Sequence, residues 1–169
     1  MGPLWLAGVV AATLSPALQA SGNCVSGEPQ PVLNAASPLI SSHVFTITGD
    51  RTAEESAVLR PNLTIHVSRS GCAHYSLVYS FSVAVRAPLA DSRAWLREAT
   101  GVLRRIARAE TAAFAATLAD ALDKQAKSGT YRYGDAMVIT EGYASAVLEV
   151  VSDSDKSHAT VRVAYQVVL

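Results

Sequence analysis

An alternation of apolar and polar residues in positions 74–85, HYSLVYSFSVAV, constrains the fold more than any other feature. The odd positions form one apolar face, and the even positions are mostly His, Ser and Ala. A period of two is typical of a strand in an antiparallel sheet with one buried face. Residues 62–68, NLTIHVS, alternate in the same way, and a glycine-containing segment, RSGCA, separates the two runs. The sequence therefore predicts a hairpin at the centre of the fold.

Residues 91–127 change to a helical period. At about 100° per residue, one arc of the helix is apolar and the opposite side is basic. The apolar arc contains Trp95, Leu96, Ala99, Val102, Leu103 and Ile106, and the basic side contains Arg93, Arg97, Arg104 and Arg108. A single helix of this length would extend about 55 Å at about 1.5 Å per residue, which is longer than the sheet it must cover. We therefore expect a bend or a break near residues 109–112, or a helix end that extends beyond the sheet.

The remaining segments complete the predicted fold. HVFTIT (43–48) is a short strand, RTAEESAVL (51–59) forms a turn or two of helix, and two strands close the chain at 136–151 and 158–169. The first of these closing strands has a bulge at Gly142. Strands on both sides of a central helix predict an α+β fold. We expect an antiparallel sheet of four to five strands in the order β-β-β-α-β-β, with one long helix, straight or bent, on one face.

The chain begins with a run from Leu4 to Leu14 in which every residue is apolar or glycine. This run is shorter than the roughly 20 residues of a membrane-spanning helix and suits a secretory signal peptide. We expect a signal peptide at 1–20, an extended N-terminal arm at 21–42 and a single α+β domain at 43–169. A buried N-terminal helix is the alternative. The signal peptide predicts a periplasmic or secreted protein with no transmembrane segment in the mature chain.

The two cysteines, Cys24 and Cys72, are the only ones in the chain. In an oxidising compartment they would form one disulfide that ties the arm to the loop of the central hairpin. Two unpaired thiols are the alternative.

The charges balance, with 14 basic and 14 acidic residues, which argues against a nucleic-acid partner. His66 and His74 lie opposite each other in one of two hairpin registers and apart in the other. Two imidazoles need a third ligand to hold a metal ion, and the sequence offers none. We expect solvent-exposed histidines, no metal and no cofactor.

The four arginines on one helix side suit the carboxylate or phosphate groups of a partner protein or an anionic glycolipid, although an ordinary solvated helix surface is the alternative. The polar face of the sheet is a second candidate surface. We expect an exported, non-catalytic binding protein, such as a periplasmic inhibitor, an immunity protein or a cell-envelope accessory factor. Its partner would be another envelope or secreted protein.

Two other functions remain open. One is a carrier or sensor of a lipid or other amphiphile, which would be lined by Trp95, Phe114, Tyr79 and Phe81. The other is a small envelope hydrolase that acts through Ser145 or Glu141. The sequence contains no catalytic constellation that favours the hydrolase, so we expect no enzyme activity.

Overall fold

A computed structural model of the protein describes residues 27–71, 74–154 and 156–168. One antiparallel sheet of seven strands packs against two helices. The elements in chain order are β1 (Ile40–Gly49), β2 (Thr52–Leu59), β3 (Leu63–Ser70), β4 (His74–Ala84), α1 (Ser92–Ala107), α2 (Phe114–Ser128), β5 (Met137–Thr140), β6 (Ala144–Ser152) and β7 (His158–Val168).

The strands lie in the order β1-β2-β3-β4-β7-β6-β5, so β4 and β7 form the centre of the sheet. These two strands pair along their whole length, from His74 opposite Val168 to Ala84 opposite His158. The odd-numbered side chains of β4 bury Leu77, Tyr79 and Phe81 on the helix side. The alternation in the sequence thus reflects one face that packs on the helices and one face that neither α1 nor α2 covers.

The helices bury the apolar arc that the sequence predicts. In α1 the buried residues include all six members of that arc, and α2 buries Ala115, Leu118, Ala119, Leu122 and Ala126. The side chain of Asp91 caps α1 by accepting a hydrogen bond of 2.9 Å from the backbone N–H of Ala94. Gly129 ends α2 with a φ of 74°, a left-handed conformation that glycine adopts without strain.

The predicted count of four to five strands and the predicted order are wrong. Residues 52–59 form β2 and not a helical turn, because Ala53, Ala57 and Leu59 all point into the core. The remaining inward position of this strand holds Glu55. A charged residue at an inward position masked the alternation that would have identified the strand.

The segment 136–151 also differs from the prediction of one bulged strand. It contains two strands, β5 and β6, which pair with each other across a turn at residues 141–143. Gly142 lies in that turn with a φ of 75°. The glycine therefore reverses the chain, where a bulge would only have bent it, and adds an edge strand to the sheet.

The prediction of a single long helix is likewise wrong, since α1 and α2 are separate helices joined by residues 108–113. This linker includes the segment where a bend or break was expected. The N-terminal arm contacts it: the N–H of Asn34 donates to the carbonyl of Ala109 at 2.7 Å, and the N–H of Thr111 donates to the carbonyl of Val32 at 2.9 Å. Because these backbone groups of Ala109 and Thr111 bond to the arm, they do not form the hydrogen bonds that would continue a helix.

The arm is packed where it is described. Val32 and Leu33 are buried, and β1 already begins at Ile40, inside the segment predicted as arm. The predicted signal peptide, Cys24 and Cys72 lie outside the described residues, so cleavage and the disulfide stay predictions. Among the described helices, none combines the length and the apolar character needed to cross a membrane.

Candidate functional site

The four predicted arginines are all exposed. Arg93, Arg97 and Arg104 lie on the outer side of α1, opposite its buried stripe, and Arg108 follows directly as the C-terminal cap of the helix. We call this surface, formed by Arg93, Arg97, Gly101, Arg104 and Arg108, the arginine face. Arg104 is the one arginine of this face that forms an ion pair within the described part of the chain. Its Nη2 lies 3.7 Å from Oδ2 of Asp123 on α2. The other three guanidinium groups have no such pair.

Asp123 on α2 places a carboxylate next to the arginine face. Its Oδ2 accepts a hydrogen bond of 2.7 Å from Nζ of Lys127. This hydrogen bond, followed by the charges of Lys127, Arg104 and Arg97, lowers the pKa of Asp123 below its usual value. The largest of these effects comes from Lys127 on α2 itself, and the arginine face adds a smaller contribution.

Gly101 leaves the middle of the arginine face without a side chain. It lies four residues after Arg97 and three before Arg104, so both are its neighbours on the helix surface. A Cβ atom at this position would meet nothing within 4 Å. Glycine inside a helix costs about 1 kcal/mol relative to alanine. The gap leaves the helix backbone uncovered between two guanidinium groups.

A groove of about 260 Å³ lies where the chain leaving β4 meets the first turns of α1. Its lining comprises Ala84, Arg86, Ala87, Ala94, Trp95, Arg97 and Glu98. Arg97 belongs to both the groove and the arginine face, so the two surfaces are continuous. Arg86 is exposed and forms no ion pair with any described residue.

The open face of the sheet is the second candidate surface. A groove of about 420 Å³ crosses its centre and is lined by Ser68, Val78, Ser80, Val147, Glu149, Arg162, Ala164 and Gln166. Glu149 and Arg162 are direct cross-strand partners, so their charges offset each other. The lining includes no aromatic side chain. This groove has neither the excess charge nor the stacking surface that would select a class of ligand.

The structure separates the two histidines that had been considered as metal ligands. His66 pairs with Ser80, and His74 pairs with Val168, so neither register considered for the hairpin is the observed one. Both side chains are exposed. Within the described residues, no group of three His, Cys, Asp or Glu side chains could hold a metal ion.

The buried carboxylate of Glu55 anchors the arm. The sequence pattern did not predict this role. The Glu55 side chain is 3% exposed and accepts hydrogen bonds from the N–H groups of Val32 at 2.8 Å and Leu33 at 3.0 Å. Nε2 of His43 lies 2.6 Å from its Oε1. The only signal in the sequence is a glutamate at an inward position of an otherwise apolar strand face.

A second largely buried carboxylate, Glu110, lies in the linker between the helices. It accepts hydrogen bonds from the hydroxyl of Tyr79 and from the N–H of Ala115, the latter at 2.9 Å. Burial raises the pKa of Glu110 to about 7, and it also raises the pKa of Tyr79. The buried hydroxyl of Tyr75 has no hydrogen-bond partner among the described residues. None of the grooves reported above is lined by Glu110, Tyr79 or Tyr75. The hydrogen bond between Glu110 and Tyr79 holds the linker on the sheet.

The residues expected for the two alternative functions are placed as follows. Trp95, Tyr79 and Phe81 are fully buried in the core. Phe114 is half-buried between two tyrosine rings, with centroid distances of 6.1 Å to Tyr75 and 5.7 Å to Tyr165. These aromatic rings pack against core neighbours. Ser145 is half-buried on β6, and Glu141 is exposed in the β5–β6 turn.

The chain matches no family model, no curated protein and no solved structure.

Proposed function

We propose that the protein is a non-catalytic binding protein whose arginine face captures an acidic segment of a partner protein. The supporting observation is that Arg93, Arg97 and Arg108 share one exposed helix face and form no ion pair with any described residue. The chain as a whole has no net charge, so this face is a local concentration of positive charge. Guanidinium groups pair with carboxylates through two parallel hydrogen bonds, which gives such a face selectivity for acidic side chains.

The length of the arginine face determines how many residues of the partner's acidic segment can cross it. Arg93 and Arg108 are 15 positions apart, which corresponds to about 22 Å along a helix. An extended chain covers about 3.3 Å per residue, so about seven residues of the partner would cross the face. The gap at Gly101 would receive the main chain at the centre of this path.

The apolar run from Leu4 to Leu14 and the pair Cys24 and Cys72 support an exported protein. The partner would then be an envelope or secreted protein, and the protein would act as an inhibitor, an immunity protein or an accessory factor. In each of these roles the binding surface itself carries the function.

A fluorescein-labelled peptide of alternating Glu and Ala, blocked at both ends, tests this proposal by fluorescence polarisation. The double variant R93E/R108E should weaken binding at least tenfold, because it replaces two guanidinium groups by repelling carboxylates. Binding by the unmodified protein should also weaken with added salt, since exposed charges are screened over about 8 Å at physiological ionic strength. The helix should tolerate the variant, because a glutamate is favoured near the start of a helix and disfavoured near its end by similar amounts.

The matched control is R132E/R162E, which makes the same change in net charge away from the arginine face. Arg132 lies in an exposed loop and Arg162 on the open face of the sheet. This control should bind within about twofold of the unmodified protein. An equal loss in both double variants, or saturable binding of the matched Gln–Ala peptide, would reject the arginine face as a selective site.

A further inference from the structure

We infer that the groove at the start of α1 receives a single carboxylate side chain, Glu or Asp, of the partner segment. This inference rests on the proposed function and specifies how the arginine face would fix one residue of the partner in place. The carboxylate would lie between Arg86 and Arg97, and its aliphatic stem would contact the alanines of the groove.

The size of the groove favours a side chain over a larger ligand. Its volume of about 260 Å³ lies below the roughly 300–1,000 Å³ of sites for drug-sized small molecules. The methyl groups of Ala84, Ala87 and Ala94 supply apolar contact for a short aliphatic stem. Because Arg97 belongs to both surfaces, a chain bound on the arginine face can place one side chain in the groove.

The charges of the groove favour one carboxylate over a phosphate. Arg86 and Arg97 contribute two positive charges and Glu98 contributes one negative charge, which leaves a net charge of one. A glutamate or aspartate carries one negative charge, whereas a phosphorylated side chain carries about 1.5 to 2 at neutral pH. Glu98 would therefore repel the excess charge of a phosphate.

The walls of the groove are already held in place. Nε1 of Trp95 donates a hydrogen bond of 3.1 Å to the carbonyl of Pro88, and the residue is only 2% exposed. The Asp91 cap fixes the first turn of α1 at Ala94. Because the indole N–H is engaged, the two guanidinium groups are the side-chain donors that the groove offers to a carboxylate.

The variant Ala94→Leu tests the groove, because it fills the space without changing any charge. Leucine is a good helix former, so α1 should remain folded, and melting temperatures would verify this. With the Glu–Ala peptide, Ala94→Leu should lose at least tenfold in affinity. The matched control is Ala116→Leu on α2, a half-buried alanine that lines none of the grooves, and it should bind within about twofold of the unmodified protein.

A second readout reports on the groove directly. The chain has two tryptophans, so 5-fluorotryptophan in a Trp5→Phe background labels Trp95 alone. The ¹⁹F resonance of Trp95 should shift during the peptide titration, with the same dissociation constant as the polarisation signal. An unchanged resonance at saturation would overturn the groove as the binding pocket.

The outcomes separate the two proposals. If Ala94→Leu binds like the unmodified protein while R93E/R108E loses affinity, the groove is rejected and the arginine face is retained. If R93E/R108E also binds without loss, the proposed function itself fails. Replacing the glutamates of the peptide by phosphoserine should give no gain in affinity, and a tighter phosphopeptide would contradict the assignment to a carboxylate.

Discussion

At the scale of single residues, Glu110 couples the stability of the fold to pH. Burial raises its pKa from 4.5 to about 7, although the hydrogen bonds from Tyr79 and Ala115 act in the opposite direction. The folded protein thus binds the Glu110 proton more tightly than the unfolded chain does. The stabilisation by this proton is fully present below about pH 4.5 and is lost as the pH rises through about 7.

The substitution Glu110→Gln should remove this dependence. Glutamine is neutral at every pH, and its amide can accept from the N–H of Ala115 and donate to the hydroxyl oxygen of Tyr79. Relative to the variant, the unmodified protein should lose at most about 3 kcal/mol of unfolding free energy between pH 4.5 and pH 8. Urea unfolding at several pH values measures the difference. The exposed Glu141→Gln serves as control, and equal pH profiles for Glu110→Gln and the unmodified protein would contradict the assignment.

At the scale of elements, segments with an uninterrupted period of apolar residues were predicted correctly, and segments with an interrupted period were not. The strand at β4 and the buried stripe of α1 follow from an uninterrupted period of two and of 3.6. β2 was hidden by Glu55, whose partners at Val32 and Leu33 are more than 20 positions away. The length of the helical segment indicated a bend or a break near residues 109–112, but the hydrogen bonds to the arm at Ala109 and Thr111 are contained in no local pattern. The local sequence pattern does not reveal the long-range partners of buried polar groups.

Glu55 should determine whether the arm stays docked. In Glu55→Gln the side-chain NH₂ would face either the N–H of Val32 or the N–H of Leu33 together with the ring of His43, so a buried donor would lose its acceptor. Such a loss costs about 1–3 kcal/mol. Amide hydrogen exchange at Val32 and Leu33 should become faster, and the unfolding free energy should fall.

The adjacent Glu54 provides a matched control for the arm. It is exposed on the open face of the sheet, where it accepts a hydrogen bond of 2.9 Å from the hydroxyl of Ser68. Glu54→Gln should change the unfolding free energy by less than about 0.5 kcal/mol. Equal exchange rates at Val32 and Leu33 in the two variants would show that Glu55 does not hold the arm.

At the scale of the whole molecule, the two helices cover one face of the sheet and direct the arginines of α1 outward. The helical period in the sequence was sufficient to place these four residues on one side. It was not sufficient to find the groove, because Arg86 follows β4 and approaches α1 only after the chain has turned. The same limit applies to the histidines, since the register of β3 and β4 decides whether they meet.

The position of a bound acidic peptide on the folded protein tests the proposed binding surface most directly. Titration of the ¹⁵N-labelled protein with the Glu–Ala peptide should shift amide resonances from Arg93 to Arg108, with Gly101 among those most affected. The resonances of Ser80, Arg162 and Gln166 on the open face should stay unchanged. Saturable shifts on the open face, with none on α1, would contradict the assignment of the arginine face as the binding surface.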